Sequence, residues 1–198
     1  MEKSLNNIAS FILAAGMSRR MGSENKLLKI YNNKTILNHT LKNHSESNLK
    51  NINIIVGHQK DSLLSVLESF EVSVIENNNY TSGMLSSILK INENIDDNTT
   101  GVMISLADMP LVSSIDINNI IEKFFLNSEK KICIPEYKEK LGNPMVIPVK
   151  IYKNLIKNDD LLSDKGLKNL ILDGGFDIVR VSTSSGILKD FDTKEDFN

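Results

Sequence analysis

Ala14, Ala15 and Gly16 stand directly after the apolar run Ile8–Leu13, and Arg19, Arg20 and Lys26 follow within the next ten positions. Small residues at the end of a buried strand let the main chain come close to a ligand, and successive backbone N–H groups in such a turn form an anion-binding concavity. Arginine and lysine side chains beside it suit phosphate oxygens. The glycine spacing fits neither the Walker loop nor the dinucleotide-binding G-x-G-x-x-G pattern. The competing reading of the same residues is a solvated basic turn.

A carboxylate, Asp108, closes the apolar run Val102–Leu106, with Pro110 two residues on. An aspartate at the end of a buried strand sits at the ligand-binding edge of an open sheet. Mg²⁺ is commonly held by one or two carboxylates plus substrate phosphates, so one such aspartate is enough to begin a metal site. A turn or helix-capping aspartate is the alternative. Asp190 and Asp192 are two apart, which on an extended segment points both side chains to one face. Asp192-Thr193 followed by Glu195 also reads as a capped helix start.

Gly83, with Ser86 and Ser87 close behind it, lies where a helix begins and suits an anion or a nucleobase edge; capping is again the plainer reading. Asn143 in Gly142-Asn143-Pro144 offers a hydrogen-bonding amide. Ser163 to Gly166 contains Asp164 and Lys165, a charge pair on a turn or two ligand contacts. His39 and His44 are five apart rather than the four of a helical metal pair, so both are expected on the surface, and His58 is expected to be structural. Cys133 sits in an apolar run and reads as a buried, inert thiol; as the single cysteine it has no disulfide partner within the chain.

Positioning these residues requires an alternation of strands and helices. Ile8–Leu13, Ile52–Val56, Val72–Ile75, Val102–Leu106 and Lys131–Ile134 read as strands. Ile36–His44, Asp61–Phe70, Met84–Ile91 and Ile115–Phe125 have helical spacing, with Asp61, Ser82 and Ser114 as candidate N-caps. Farther on, Pro144–Pro148, Ile178–Val181 and Ile187–Leu188 are expected strands, and Tyr152–Ile156 and Leu167–Leu172 expected helices. Asn92 to Thr100 reads as a polar surface loop. The alternation implies an α/β class: one three-layer, Rossmann-like domain over residues 1–198 with a mostly parallel sheet.

The 198 residues carry a net charge of −2, with acidic and basic groups mixed along the chain, which speaks against a nucleic-acid or membrane-surface partner. No apolar run is long enough to span a bilayer, and the polar first residues lack a signal core, so a cytoplasmic location is expected.

Leu13-Ala14-Ala15-Gly16, Ser18, Arg20-Met21-Gly22 and Lys26-Leu27 together resemble the opening signature of the nucleotidyltransferases of the molybdenum-cofactor and sugar-nucleotide superfamily. Leu106-Ala107-Asp108-Met109-Pro110 is similar to that superfamily's L-x-D-x-P block, and Asp190 to Asp196 to its D-x-D-T-P-E-D block, with Lys194 in place of proline. Gly83-Met84-Leu85-Ser86-Ser87 resembles the G-M-x-S-S block of the molybdenum cofactor cytidylyltransferases, with Leu85 where serine is expected. Asn143 replaces the histidine of that branch's G-H-P, and Ser163 the first glycine of its G-D-x-G. Ala14-Ala15-Gly16 follows the cytidylyl branch rather than the A-G-G of the guanylyl branch, and the block around Asp108 differs from the V-H-D-A-A-R-P of methylerythritol-phosphate cytidylyltransferases.

The resemblance implies a nucleotidyltransferase fold, and a transfer of CMP from CTP to the terminal phosphate of molybdopterin with release of pyrophosphate. It places Leu13, Ala14, Ala15, Gly16, Arg20, Lys26, Gly83, Ser86 and Asp108 on the nucleotide, with Arg20, Lys26 and Asp108 central to catalysis. It places Mg²⁺ on Asp108 and Asp192, and it suggests a molybdenum hydroxylase as client. A phosphate oxyanion is already nucleophilic, so no Ser, Cys or His nucleophile is required. The alternatives are a related cytidylyl- or guanylyltransferase using a sugar phosphate or methylerythritol phosphate, and a non-catalytic carrier of the cofactor.

Overall fold

A computed structural model describes residues 7–17, 25–157 and 166–197. Its centre is β1 (Ile8–Ala14), whose side chains alternate between two buried faces. Ala9 and Phe11 join one apolar cluster, while Ile8, Ile12 and Ala14 join clusters on the other side. A strand apolar on both faces needs cover on both, and the chain supplies it with helices. Those facing Phe11 are α3 (Met84–Asn92), α5 (Val149–Leu155) and α6 (Gly166–Asp173). Those facing Ile12 are α1 (Ile36–Ser45), α2 (Lys60–Leu67) and α4 (Ser114–Leu126).

The remaining strands are β2 (Ile30–Tyr31), β3 (Lys34–Thr35), β4 (Asn51–Val56), β5 (Ser73–Glu76), β6 (Gly101–Leu106), β7 (Ile132–Tyr137), β8 (Lys140–Leu141), β9 (Met145–Pro148) and β10 (Ile178–Ser182). The order across the main eight-stranded sheet is β10-β7-β9-β6-β1-β4-β5, with β8 paired to β7; β2 and β3 form a separate antiparallel ribbon. Parallel pairing joins β1 to both β4 and β6. The chain thus steps outward from β1 through β4 to β5, then returns to lay β6 on the other side of β1. That reversal is a topological switch point, and the crevice beyond the carboxyl ends of β1 and β6 is where ligands bind in open α/β sheets.

The fold matches the expected α/β class with a mostly parallel sheet. The Pro144–Pro148 segment does form a strand, but β9 runs antiparallel to both β6 and β7, so this half of the sheet is mixed. Ile187–Leu188 is not a strand: it belongs to a 3₁₀ turn, Ser185–Leu188, capped by the Ser184 hydroxyl, which accepts from Gly186 N. A Cβ at Gly186 would lie 2.0 Å from the Leu111 carbonyl oxygen, so close packing on that loop holds the turn.

Three expected caps are displaced. Helix α2 begins at Lys60 after Gln59 in a left-handed conformation (φ 53), which puts Asp61 inside the first turn. Helix α3 follows Gly83, and Ser82 belongs to the preceding 3₁₀ turn. Helix α4 is capped by Ser113 rather than Ser114, through a reciprocal pair of hydrogen bonds with Asp116. Among the described residues no helix is long and apolar enough to cross a membrane.

Candidate active site

The switch-point crevice holds a cavity of about 590 Å³. Leu13, Ala14, Ala15 and Gly16 form its floor at the end of β1, and Lys26, Asp108 and Asp192 its charged wall. Gly16 is exposed there, with nothing within 4 Å of the position a Cβ would take. Neither packing nor a left-handed backbone explains that glycine, so the space a side chain would fill is the cavity itself.

Lys26 lies on a 3₁₀ turn, Lys26–Leu28, fixed by the Asn25 side chain accepting from Leu27 N at 3.0 Å and by Leu27, which is buried under α1. Its ammonium donates to both the Asp108 and Asp192 carboxylates. The three side chains are 15%, 17% and 28% exposed, enough burial for the charges to be felt. Burial opposes the charge on Lys26, but the two carboxylates outweigh it and hold its pKa above the usual lysine value. Burial pushes Asp108 up; Lys26 counters it, and the charges of Asp192 and Asp190 add to it.

The loop bearing Asp108 is held from α1. Thr40 Oγ1 donates to the Ala107 carbonyl at 2.9 Å, and the Asn43 amide donates to the carbonyls of Pro110 and Val112 at 3.0 and 2.8 Å. His44 completes this seam, so its expected surface position is corrected: it is buried, on the face it shares with Ile36 and Thr40. Spacing of four from Thr40 is the signal that could have shown it. Its Nδ1–H donates to the Thr40 carbonyl at 2.8 Å, so Nε2 accepts from the Ser105 hydroxyl at 2.8 Å, an arrangement open only to the neutral ring.

Burial lowers the His44 pKa from 6.5 to about 4. The unfolded chain therefore binds more protons than the folded one between those values. Stability is complete above pH 6.5 and falls as the pH drops toward 4, by about 3 kcal/mol from this group. Denaturant unfolding of wild type and His44→Asn across this window is the check. The wild type should show that much more acid loss than the variant, and equal slopes would remove His44 from the account.

The Asp192 loop leads into the helix start that its sequence also allowed, a 3₁₀ turn over Lys194–Phe197 with Glu195 and Asp196 in its first turn. The Asp196 carboxylate reaches back to accept from Asp192 N at 2.9 Å and Thr193 N at 2.7 Å, and also pairs with Lys189. Lys189 and these N–H donors hold Asp196 well below the usual carboxylate range. Phe191 turns inward against Tyr31, with ring centroids 4.9 Å apart, and its N–H donates to the Asp108 carbonyl at 2.9 Å. Asp190 and Asp192, one residue to either side, both line the cavity. One backbone hydrogen bond thus ties together two loops that are far apart in sequence.

The opposite wall comes from the 3₁₀ turn Tyr80–Ser82 and the start of α3, where Gly83 takes φ 85. Ser87 lines the cavity, whereas Ser86 does not. The Ser86 hydroxyl donates to the Gly83 carbonyl at 2.8 Å and accepts from the buried Asn77 amide, facing a separate polar groove. Adjacent helical residues point about 100° apart, which separates the two serines. Tyr80, missed in the sequence, packs over Gly57, where a Cβ would lie 2.7 Å from the tyrosine Cβ, and its ring leans on His58. Arg19, Arg20, Ser163, Asp164 and Lys165 fall outside the described residues. Cys133 is fully buried, and burial pushes its thiol up to about 12, which leaves it protonated and inert.

The model of the MobA-like NTP transferase domain matches residues 10–177. The chain belongs to that family. Over 104 residues the transferase domain is also 30% identical to bifunctional protein GlmU of Hydrogenobaculum sp. (strain Y04AAS1), a match covering 52% of this chain and 23% of that protein. The chain therefore spans less than a quarter of that relative's length. Among solved structures it is similar to Rv0371c from Mycobacterium tuberculosis H37Rv, with a TM-score of 0.80 at 22% identity over 96% of both chains. A second structure of Rv0371c, in complex with manganese, gives 0.76 at 21% identity, again over 96% of each chain. A nucleotidyl transferase from Methanothermobacter thermautotroptrophicus gives 0.80 at 18% identity over 97% of this chain and 94% of that one.

The carboxylate wall of the cavity can be tested against a hard divalent cation. Asp108 Oδ1 is buried and has no hydrogen-bond partner among the described residues, so one carboxylate oxygen is still to be satisfied. Among the described residues no group of three or more His, Cys, Asp or Glu could hold a metal alone. Mg²⁺ in nucleotide sites is usually held by one or two carboxylates completed by phosphate oxygens, and Asp108 and Asp192 are the carboxylates here that could contribute to such a set.

Proposed function

We propose that the protein is a cytidylyltransferase that moves CMP from CTP to the terminal phosphate of molybdopterin, releasing pyrophosphate. The observation that carries the reading is the meeting of Lys26, Asp108 and Asp192 at the wall of a cavity floored by Ala14-Ala15-Gly16. Membership of an NTP transferase family supports the reaction class, and the sequence blocks support base and acceptor.

In this reading the backbone at Ala15-Gly16 accommodates the triphosphate, which no side chain at Gly16 obstructs. Lys26 exchanges a carboxylate for a phosphate oxygen, and Arg20, which the family resemblance puts on the phosphates, offsets their charge. Tyr80 and the start of α3 face the nucleoside. Asp108 and Asp192 would hold Mg²⁺, which supplies charge neutralisation at the phosphate oxygens when bound. The acceptor phosphate oxygen bonds to the α-phosphorus as the bond to pyrophosphate breaks. Both oxygens are anionic, so no protein base is needed, and the protein's contribution is alignment and charge.

Pyrophosphate release with molybdopterin cofactor, Mg²⁺ and each of CTP, GTP, ATP and UTP tests the proposal. Release is expected with CTP and should stop on addition of EDTA and return with excess Mg²⁺. Release with GTP in place of CTP overturns the base assignment and keeps the reaction class. Turnover that survives EDTA removes the metal. Silence with every nucleotide, alongside tight cofactor binding, favours the carrier.

A further inference from the structure

A second, smaller pocket of about 190 Å³ adjoins the nucleotide cavity. Leu106 and Asp190 line both, so the two meet at those residues. The far side of the small pocket carries Lys168, from the first turn of α6, and Asn143, from the turn before β9. Its other lining residues include Met109, Leu141, Ile187 and Asp190.

Lys168 is half-buried, and burial lowers its pKa. Its Nζ donates to the Leu141 carbonyl at 3.0 Å, and among the described residues no carboxylate pairs with it. An ammonium has three donors, so two remain for something else. A half-buried cation without a counter-ion carries a desolvation cost, which an anionic ligand would offset. Asn143 is aimed by its main chain: its N–H donates to the Ile187 carbonyl at 3.0 Å, and Gly142 N–H donates to the Pro135 carbonyl at 2.9 Å. A Cβ at Gly142 would lie 2.1 Å from the Ile187 carbonyl oxygen, so this approach is closed to other residues. The Asn143 side-chain amide makes no hydrogen bond with the described residues, which leaves it available to the pocket.

We propose that Lys168 and Asn143 form the subsite that takes the phosphomonoester of the acceptor in nucleotidyl transfer. The proposal rests on the transferase reading of the adjoining cavity. The pocket is below the ~300–1,000 Å³ that encloses a whole drug-sized ligand, so it reads the phosphate end and leaves the rest of the acceptor outside. From there the phosphate reaches the nucleotide cavity where the two meet, at Leu106 and Asp190. Asp190, which lines both cavities, is a negative charge that repels a free anion, which makes the Lys168 charge the more necessary. The transfer forms one bond, from acceptor phosphate oxygen to α-phosphorus, and breaks one, from α-phosphorus to pyrophosphate, with no proton to place.

Two measurements test the subsite. Acetylation of Lys168 in the intact protein is read by peptide mass spectrometry while phenyl phosphate is titrated, with the exposed Lys42 as internal reference. Lys168 is expected to be protected at least about threefold and Lys42 not at all; equal labelling of both overturns the subsite. Loss of a charge-assisted hydrogen bond of about 1.5–3 kcal/mol predicts that Lys168→Gln raises the acceptor KM about ten- to a hundredfold, with the nucleotide KM within about twofold and partial rescue by Lys168→Arg. A normal acceptor KM, or equal changes in both KM values, overturns the proposal. Labelling needs no turnover. Protection in a protein that transfers no nucleotide therefore keeps the anion site and removes its assignment to an acceptor, whereas turnover without protection removes the subsite alone.

Discussion

Asp108→Ala should lower turnover about a thousandfold or more while the protein stays folded. The Asp108 carboxylate is not what holds its own loop. The contacts that do so use the main chain: Thr40 on the Ala107 carbonyl, Asn43 on the Pro110 and Val112 carbonyls, and Phe191 N–H on the Asp108 carbonyl. Alanine keeps all of them. It also removes a buried oxygen that has no partner and leaves Lys26 with Asp192. Stability should therefore change by about 1 kcal/mol at most, a few degrees in Tm. Pyrophosphate release and a thermal melt on the same preparation check both halves. Activity within tenfold of wild type sinks the metal assignment, and a large fall in Tm would make Asp108 a structural residue. Asp108→Asn, which keeps the shape and removes the charge, should be as inactive as alanine.

Lys26→Met should act with the opposite balance. The lysine is the cation between two carboxylates, and methionine keeps much of its length without the charge. Asp108 and Asp192 then face each other without the ammonium between them. Breaking a fully buried ion pair costs about 3–5 kcal/mol; partial solvent access here brings the expected loss to about 1–3 kcal/mol. Nucleotide affinity should fall about ten- to a hundredfold through the missing charge-assisted hydrogen bonds to phosphate. Titration calorimetry with CTP measures that loss. Mg²⁺ should raise the Tm of the variant more than that of wild type, since it replaces the ammonium between the carboxylates. Unchanged CTP affinity would remove Lys26 from the phosphates, and an equal response to Mg²⁺ would separate it from the metal.

The parts of this molecule that were legible in the chain are local. The short apolar run Ile8–Leu13, helical spacing in Ile36–His44, and a small-residue turn after the first strand are each written within a dozen positions. They determined the class of fold, the approximate elements and the kinds of side chain at the strand ends. Side-chain pattern records which face is apolar, and that is enough to define a strand or a helix. It does not record which strand is the neighbour.

The tertiary structure decided the rest. Placing β6 beside β1 brings Asp108 to the end of the phosphate turn, and the Phe191 N–H bond to Asp108 brings Asp192 from the far end of the chain. Folding back β9 makes its half of the sheet mixed and, with Asn143 before it and α6 beyond, builds the small pocket. His44 is a polar residue whose burial depends on a serine sixty-one positions away. Ser86 and Ser87 are indistinguishable by type, and only the rotation of α3 against the sheet chooses which faces the cavity. In each case the outcome depends on which distant groups satisfy one another's hydrogen bonds and fill one another's volume, and a one-dimensional pattern does not contain those pairings.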